Sequence, residues 1–492
     1  MPASARKILI AAMIVGVAGD RLLRGGTWRL GFAIWVVGIV ICIATVAADA
    51  SRERRLMLGG VLLAAFGLVW RDSPTLYVID MLSLLSMAGM AVWIGSGRTV
   101  ADLTVVESVR AGLLTAVNVS LGAGSVISKA VAHGRVSARQ KGSAGAIIAG
   151  AALAVPPLAV VATLLASSDK VFGDMLTTAT TFAMKNGIEH LVLIALLAWI
   201  AAGWMHASLG SVLGATVDAP RSPRLPFVSV SIGLYSLIAL LGAFIAVQAR
   251  VIFGGAAFLR QTAGLTVAAY ARDGFFQLIL ASAVVLVTLV MAEWCLTEDD
   301  AIARRRYRVA ATALLAMVGA LLVSSAVRIG LYVNEFGLST DRMFASSAIV
   351  WVSGALAAFA ITTLRGHGGR FMPVTLLLTV AWVAGLNLIN PDAVVARVNL
   401  ARAERGEVFD AEFHARLSAD ALPVLVAGAH RLRAADCMAL ESDLRKRLRT
   451  RFGSGGDASG DWRTRNVPLW TVHAWIDSGA AFCPAVQRSV QK

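Results

Sequence analysis

Charged residues are scarce in this 492-residue chain: 15% of the sequence, where an ordinary soluble protein carries about 25%. That scarcity, with 57% hydrophobic residues and a mean hydropathy of +0.72, excludes a conventional globular enzyme with a solvated surface. Cysteine is also sparse, at four residues, none in a CxxC or Cys/His ligand spacing. This excludes a zinc module or a disulfide-dense scaffold. The seven histidines are scattered, and no two have metal-ligand spacing. GxxxxGK[ST], HExxH, GxSxG and a strand-to-helix GxGxxG are missing, so the local signatures of nucleotide, zinc-protease and serine-hydrolase chemistry are not met. No metal and no cofactor is expected. The net charge of +15 suggests nucleic acid until its distribution is examined. No Lys/Arg-rich stretch is interleaved with aromatics, so nucleic acid is not an expected partner.

What is abundant is long apolar sequence. Eleven runs are each near the length that crosses a hydrocarbon core of about 30 Å. They are Ile8–Leu23, Leu30–Ala48, Leu56–Trp70, Thr75–Ile94, Ala144–Ala166, Leu191–Leu213, Phe227–Val247, Phe275–Trp294, Val309–Ile329, Met343–Leu364 and Phe371–Leu388. The fold class expected is all-α: a polytopic transmembrane helix bundle of about eleven spans over residues 1–389. A helical extramembrane domain follows over residues 390–492. The first run, with Arg6 and Lys7 before it, reads either as a span or as a signal peptide. Gly95 to Gly142, with "SVRAGLLTAVNVSLGAGSVISKAV", reads as an interfacial or packed helix rather than a span.

The basic residues cluster in short segments between the runs, as in "SRERR" and "ARRRYR". With the N-terminus inside, Lys and Arg are about twice as frequent in the inner segments as in the short outer loops, the direction that orients membrane proteins. This predicts a multi-pass protein of the bacterial cytoplasmic membrane whose tail is extracytoplasmic. In the tail, "DAEFHARLSADALPVLVAGAHRLR" has helical spacing, with Asp410 placed to cap it. "RFGSGGDASGDW" is a Gly/Ser-rich connector. Trp462, Trp470 and Trp475 then serve either a small core or the bilayer interface, where indoles are enriched. Cys437 and Cys483 are the two cysteines of the tail and pair if it is extracytoplasmic; Cys42 and Cys295 are inert small hydrophobes of the spans.

Ionisable residues in apolar runs mark candidate sites, because burying charge in hydrocarbon is costly. Asp80 is either a carboxylate reaching interfacial water or an ion or proton site. His206 reads as a neutral side chain bonded to a neighbouring helix, and Glu293 as facing water or pairing with the basic segment after it. The expected outer loops carry the densest polar sets. "SSDKVFGDM" holds Asp169, Lys170 and Asp174, with Glu189 and His190 opening the next run. "AAYARDGFF" holds Tyr270, Arg272 and Asp273. "YVNEFGLSTDR" holds Tyr332, Asn334, Glu335, Asp341 and Arg342, with Gly337 making the turn. The reading preferred for these sets is a rim that fixes loops against the bundle; a polar binding site is the alternative. Pro156–Pro157 interrupts the fifth run, as a kink or a substrate path. "GSAGAIIAGAALA" gives that run a face for close helix packing.

Several stretches together resemble a known family: "LLASSDKVFGDML", "LTVAAYARDGFFQL", "YVNEFGLSTDRMFA", "NLINPDAVVARVNLARA" and "FHARLSADALPVLV". They are similar to a bacterial group of multi-pass membrane proteins described as a domain of unknown function, DUF4173, related to DUF4153. The resemblance covers roughly Ala144 onward. It implies the cytoplasmic membrane and carries no activity with it. Where the family reads Tyr-Ala-Glu-Tyr-Ala-Arg, this chain has Val267 to Arg272, keeping Tyr270 and Arg272 but not the carboxylate. The function expected is a non-enzymatic envelope scaffold or sensor with an extracytoplasmic tail. Its partners are the lipid bilayer and another envelope protein. A secondary transporter comes second. A membrane enzyme on lipid-linked substrates comes third, with Glu335, Asp341 and Arg342 as its acid, base and phosphate clamp.

Overall fold

The apolar runs become helices in the computed structural model, which describes residues 2–24, 28–46, 51–95, 97–100, 105–132, 165, 174–175, 188–209, 225–263, 275–296, 301–452, 462–478 and 483. Among these residues the only strand-like feature is an isolated bridge between Leu225 and Leu296. Among the described residues eleven helices belong to the bundle: α1 (Pro2–Leu23), α2 (Leu30–Val46), α3 (Arg52–Trp70), α4 (Pro74–Gly95), α5 (Val105–Ala132), α6 (Ile188–Leu209), α7 (Phe227–Ala263), α8 (Phe275–Cys295), α9 (Ala301–Phe336), α10 (Thr340–Ile361) and α11 (Phe371–Ile389). Eight of the described helices, α4 to α11, are long and apolar enough to cross a membrane; α2 is apolar but shorter. The run Ala144–Ala166 lies outside the described residues except for Leu165.

Helix α5 differs from its sequence reading. It is long and apolar enough to cross a membrane, and it packs on α1, α4 and α6, as the packed-helix alternative expects. The physical reason is glycine. A Cβ on Gly203 of α6 would fall 1.9 Å from the Val119 carbonyl oxygen of α5, so the two backbones meet as only small residues allow. His206 lies on the same seam, against Gly122 of α5, as a side chain facing a neighbouring helix.

The bundle has two cores. One is shared by α1 to α6, with Ile39, Ile43, Leu68 and Met205 fully enclosed. The other belongs to α7 to α11, around Leu234, Leu289, Leu314 and Phe359. Helix α11 also packs on α3 and α4 and so joins the halves. Helix α9 is the longest of this second half but for α7. Its 36 residues span about 54 Å, well beyond a hydrocarbon core of about 30 Å. The two ends therefore carry polar sequence as helix, not loop. At one end Tyr307 of "ARRRYR" donates to the Leu289 carbonyl at 2.8 Å, with Glu293 beside it. At the other, "YVNEF" forms the last turns.

Past α11 the chain turns sharply at Asn390. It takes the left-handed conformation (φ 58°), ends α11 and caps α12 (Pro391–Glu404) by accepting from the Ala393 N–H at 3.2 Å. Pro391 then stands in the first turn, where a missing N–H costs nothing. Next come α13 (Ala411–Ala415), capped by Asp410 as expected, α14 (Leu422–Gly428), α15 (Ala434–Phe452) and α16 (Val467–Ser478). These share a third core around Val395, Ala421, Leu425, Leu440 and Val472. A disulfide joins Cys437, in the first turn of α15, to Cys483 beyond α16. Of the three tryptophans, Trp475 packs against this core beneath Arg445, while Trp462 and Trp470 stay exposed.

Candidate functional site

The most concentrated buried polarity in the molecule lies where the tail meets the bundle. The turn between α3 and α4 supplies Arg71, Asp72 and Ser73. The tail supplies Asp392 at the start of α12, Ser418 and Asp420 just before α14, and Asn466 before α16. Asp72, Asp392 and Asp420 are 2%, 2% and 4% exposed. Carboxylates this enclosed must be neutralised or hydrogen-bonded.

Two of them are paired with arginine. Arg29, from the α1–α2 connection, meets Asp72 Oδ1 at 2.9 Å and donates to the Arg71 carbonyl at 3.0 Å. Arg71 faces Asp420 at 3.6 Å and also donates to the last carbonyls of α11, Asn387 at 2.7 Å and Leu388 at 3.4 Å. Those are the orphan acceptors of a helix end, where a guanidinium is well placed. Asn466 donates to Asp72 Oδ1 at 2.9 Å, and Asn390 to the Asp420 carbonyl at 3.3 Å. Among the described residues no arginine or lysine pairs with Asp392, which instead faces Ser418 and Ser73. Burial raises the pKa of both tail carboxyls, that of Asp420 to about 6 against the hydrogen bond from the Asp72 backbone and the pull of Arg71.

A second junction lies at the end of α9, and it is where the polar stretch Tyr332–Arg342 belongs. Arg402 of α12 donates to the Val333 carbonyl at 3.0 Å, to that of Asn334, and to that of Glu335 at 3.0 Å. One planar guanidinium thus closes the C-terminal turn of a long helix. Asn399, one turn earlier on α12, holds Leu338 from both sides: its Oδ1 accepts from the Leu338 N–H at 2.9 Å and its Nδ2 donates to the Leu338 carbonyl at 2.8 Å. Gly337, with φ 82°, makes this approach possible, since a Cβ there would sit 2.7 Å from Asn399 Oδ1. Asn399 also reaches His414 Nε2 at 3.0 Å, and His414 Nδ1 bonds the Asp410 carbonyl at 2.6 Å. Burial lowers the His414 pKa and so disfavours the charged ring, with Asp410 opposing.

The candidate residues named from the sequence fall out as follows. Arg342 lies over the Tyr332 ring at 4.0 Å and donates to the Gly337 carbonyl at 2.7 Å, so these two fix the α9–α10 turn. Glu335 and Asp341 are exposed and join no ion pair among the described residues. The turn is held by carbonyl capture and cation–π contact, with Asp341 adding a longer-range attraction to Arg342 and no close ion pair among the described residues, and the acid, base and phosphate clamp do not converge. Asp174 is exposed. Tyr270 and Arg272 lie outside the described residues, as do Asp169, Lys170, Asp273 and the Pro156–Pro157 pair. Asp80 is buried and accepts from Asn387 Nδ2 of α11 at 2.9 Å; Asp80 Oδ2 and Asn387 Oδ1 make no hydrogen bond among the described residues. Glu189 and His190, at the start of α6, meet Arg24 and Asp20 at the end of α1: Arg24 pairs with Glu189 at 3.1 Å and His190 with Asp20 at 2.7 Å.

Sequence reasoning missed Arg29, Arg71, Asp72, Asp392, Asn399, Arg402, Asp420 and Asn466. A signal for half of them was present. "NLINPDAVVARVNLARA" contains Asn387, Asn390, Asp392, Asn399 and Arg402, and "FHARLSADALPVLV" contains His414, Ser418 and Asp420. Three of the five stretches that carry the family resemblance thus contribute to the two junctions, supplying the α9–α10 turn and the tail's side.

Among the described residues no cluster of three or more His, Cys, Asp or Glu is arranged to hold a metal ion. No curated protein and no solved structure matches the chain. A family described as Domain of unknown function (DUF4153) matches residues 58–428, from within α3 through the end of α14 and so across both junctions, and the chain belongs to that family.

Proposed function

We propose that this protein is a non-enzymatic scaffold or sensor of the bacterial cell envelope. Its bundle sits in the cytoplasmic membrane, with the start of α1 on the cytoplasmic side and the tail from Asn390 onward as an extracytoplasmic domain. The narrower DUF4173 grouping belongs to this proposal and rests on the stretches quoted above. The observation that carries it is the buried Asp72–Asp420 junction, which fixes the tail to one end of the bundle. The α1–α2, α3–α4 and α9–α10 turns are all held from the tail, through Arg463 on the Arg21 carbonyl, Asn466 on Asp72 and Arg402 on the end of α9. The Cys437–Cys483 disulfide supports an oxidising compartment on that side. A folded domain fastened to one end of the bundle by buried ion pairs and helix-end caps suits the presentation of a surface to another envelope component.

One observation favours a second reading, a secondary transporter. Among the described residues Asp80 and Asn387 leave two buried oxygens without hydrogen bonds where α3, α4 and α11 meet, a setting that suits a proton or small cation.

One complementation experiment separates the two. In a strain lacking the protein, sensitivity to envelope stress is scored after returning the full chain, a chain ending at Glu404, or Asp80→Asn, with membrane levels matched by blotting. The scaffold reading expects the truncation to fail and Asp80→Asn to complement; the reverse pattern establishes the transporter reading in its place. A cytosol-only reporter fused after Lys492 is expected to be inactive, and full activity would remove the extracytoplasmic assignment.

A further inference from the structure

The tail also has a face that neither junction uses. Trp462 and Trp470 are each 50% exposed, although both flank Asn466, which is itself fully buried against Asp72. Their height relative to the bundle follows from their neighbours. The short turn Trp462–Thr464 packs on the start of α2, where Arg463 Cβ lies 3.3 Å from the position a Gly31 Cβ would take. Trp470 is one helical turn past Asn466, about 6 Å along the axis of α16, which packs on α3.

At that same level the bundle shows lipid-type surface. Leu388 is 77% exposed and Ile389 is also exposed, although Arg71 of the junction donates to the Leu388 carbonyl. Trp28, two residues before α2, and Trp70, the last residue of α3, are exposed indoles at this end. Exposed apolar side chains thus reach the end of α11 beside the tail, and four exposed indoles, Trp28, Trp70, Trp462 and Trp470, belong to segments at this end. Indoles prefer the boundary between hydrocarbon and headgroups, because the ring is apolar and its N–H is not. Arg21 and Arg463 lie among them, as cations do where phosphates are near.

We propose that the segment Trp462–Ser478 is an interfacial element of the membrane. Trp462 and Trp470 rest in the headgroup and upper acyl region of the phospholipid leaflet on the tail side, completing with Trp28 and Trp70 a collar that sets the depth of the tail. The tail is then held by three attachments: the aspartate junction, the α9 cap and the lipid surface. Trp475 belongs to the core, which is why three tryptophans in one short stretch do not share one role.

The test uses the full chain in nanodiscs of phosphatidylethanolamine and phosphatidylglycerol. Cys42→Ala and Cys295→Ala remove the free thiols and the disulfide is kept; Trp462→Cys, Trp470→Cys or, as a water-facing reference in the tail, Val408→Cys then carries a nitroxide. The expected result is collision with oxygen and protection from a water-soluble nickel chelate at both tryptophan positions, with the opposite at Val408. Nickel access at either position equal to that at Val408 overturns the proposal. Trp462→Phe and Trp470→Phe give a second reading that keeps an aromatic ring in place. The emission each variant loses should be quenched in the parent protein by lipid brominated at a shallow acyl position; unquenched difference emission overturns the proposal as well.

Discussion

Asp72 and Asp420 hold each other's backbone. Asp420 Oδ2 accepts from the N–H groups of Asp72 at 2.6 Å and Ser73 at 3.0 Å, while Asp72 Oδ2 accepts from the Ala419 N–H at 3.1 Å. Each carboxylate satisfies the donors of a chain reversal more than three hundred residues away. The contact can therefore form only when bundle and tail are both folded and correctly placed, which makes it a check on assembly as well as a bond.

Asp420→Ala should release the tail. It leaves Arg71 and two buried N–H groups without their partner, and breaking a buried pair in this way costs about 3–5 kcal/mol. Proteolysis of the purified protein should then cut within residues 405–461 at concentrations that leave the parent intact, while the bundle stays protected. An unchanged cleavage rate would sink the idea that this junction holds the tail.

Gly337 and Arg402 predict a different pattern. Gly337→Ala forces a Cβ into a left-handed position and toward Asn399, which should cost about 1–3 kcal/mol. Arg402→Lys keeps the charge but cannot reach three carbonyls from one ammonium, so it should retain only part of the cap and Arg402→Ala none. Hydrogen exchange at the amides of residues 331–338 reads both. Exchange should rise in the order parent, Arg402→Lys, Arg402→Ala, and indifference to all three substitutions would show that the turn is held by something else.

The bundle was largely legible in the sequence because hydrocarbon imposes one rule, length times apolarity, on every span. Where that rule is diluted the reading failed. The mixed, partly apolar stretch from Ser108 to Val131 reads as no span because polar residues and glycines interrupt it, and the seam at Gly203 that packs α5 on α6 is a property of two segments together. The length of α9 misled in the other direction: "YVNEF" looked like a loop because polar residues need water, and the helix supplies it by outrunning the membrane. The rim at Tyr332–Arg342 was found, since a polar cluster between apolar runs is conspicuous. Its true partners, Asn399 and Arg402, were not. A polar residue on a tail helix looks the same whether it faces water or caps another helix.

The disulfide gives a prediction confined to the tail. Cys437 and Cys483 are 46 residues apart, and closing a loop of that length stabilises a domain by about 4 kcal/mol on the chain-entropy estimate. Replacing both with serine, or reducing the purified protein, should lower the temperature at which α12 to α16 melt. The bundle transition should stay where it was, because no bundle residue packs with that pair among the described residues. A common shift of both transitions would show that tail and bundle unfold as one unit.

Acidity should tighten the junction. Three carboxylates, Asp72, Asp392 and Asp420, face two guanidiniums, Arg29 and Arg71, so one negative charge is in excess in a site closed to water. Burial raises Asp392 above the ordinary carboxylate range and raises Asp420 from 3.8 to about 6, with Asp72 and Asp392 adding to it and Arg71 opposing. A carboxyl raised by docking is more protonated in the docked form than in the released one. Docking therefore takes up protons, and its stability falls as pH rises from about 4 through about 6, then levels off. For Asp420 the full change is on the order of 3 kcal/mol, taking roughly 1.4 kcal/mol for each unit of the raised constant. The measurement is the melting temperature of the tail between pH 4.5 and 8. The parent should lose stability toward the alkaline end. Asp392→Asn, which removes the excess charge and keeps the shape, should flatten the curve and stabilise the junction at pH 8. A parent curve that instead rises with pH would show that the arginines outweigh burial and that all three carboxylates are charged in the docked state.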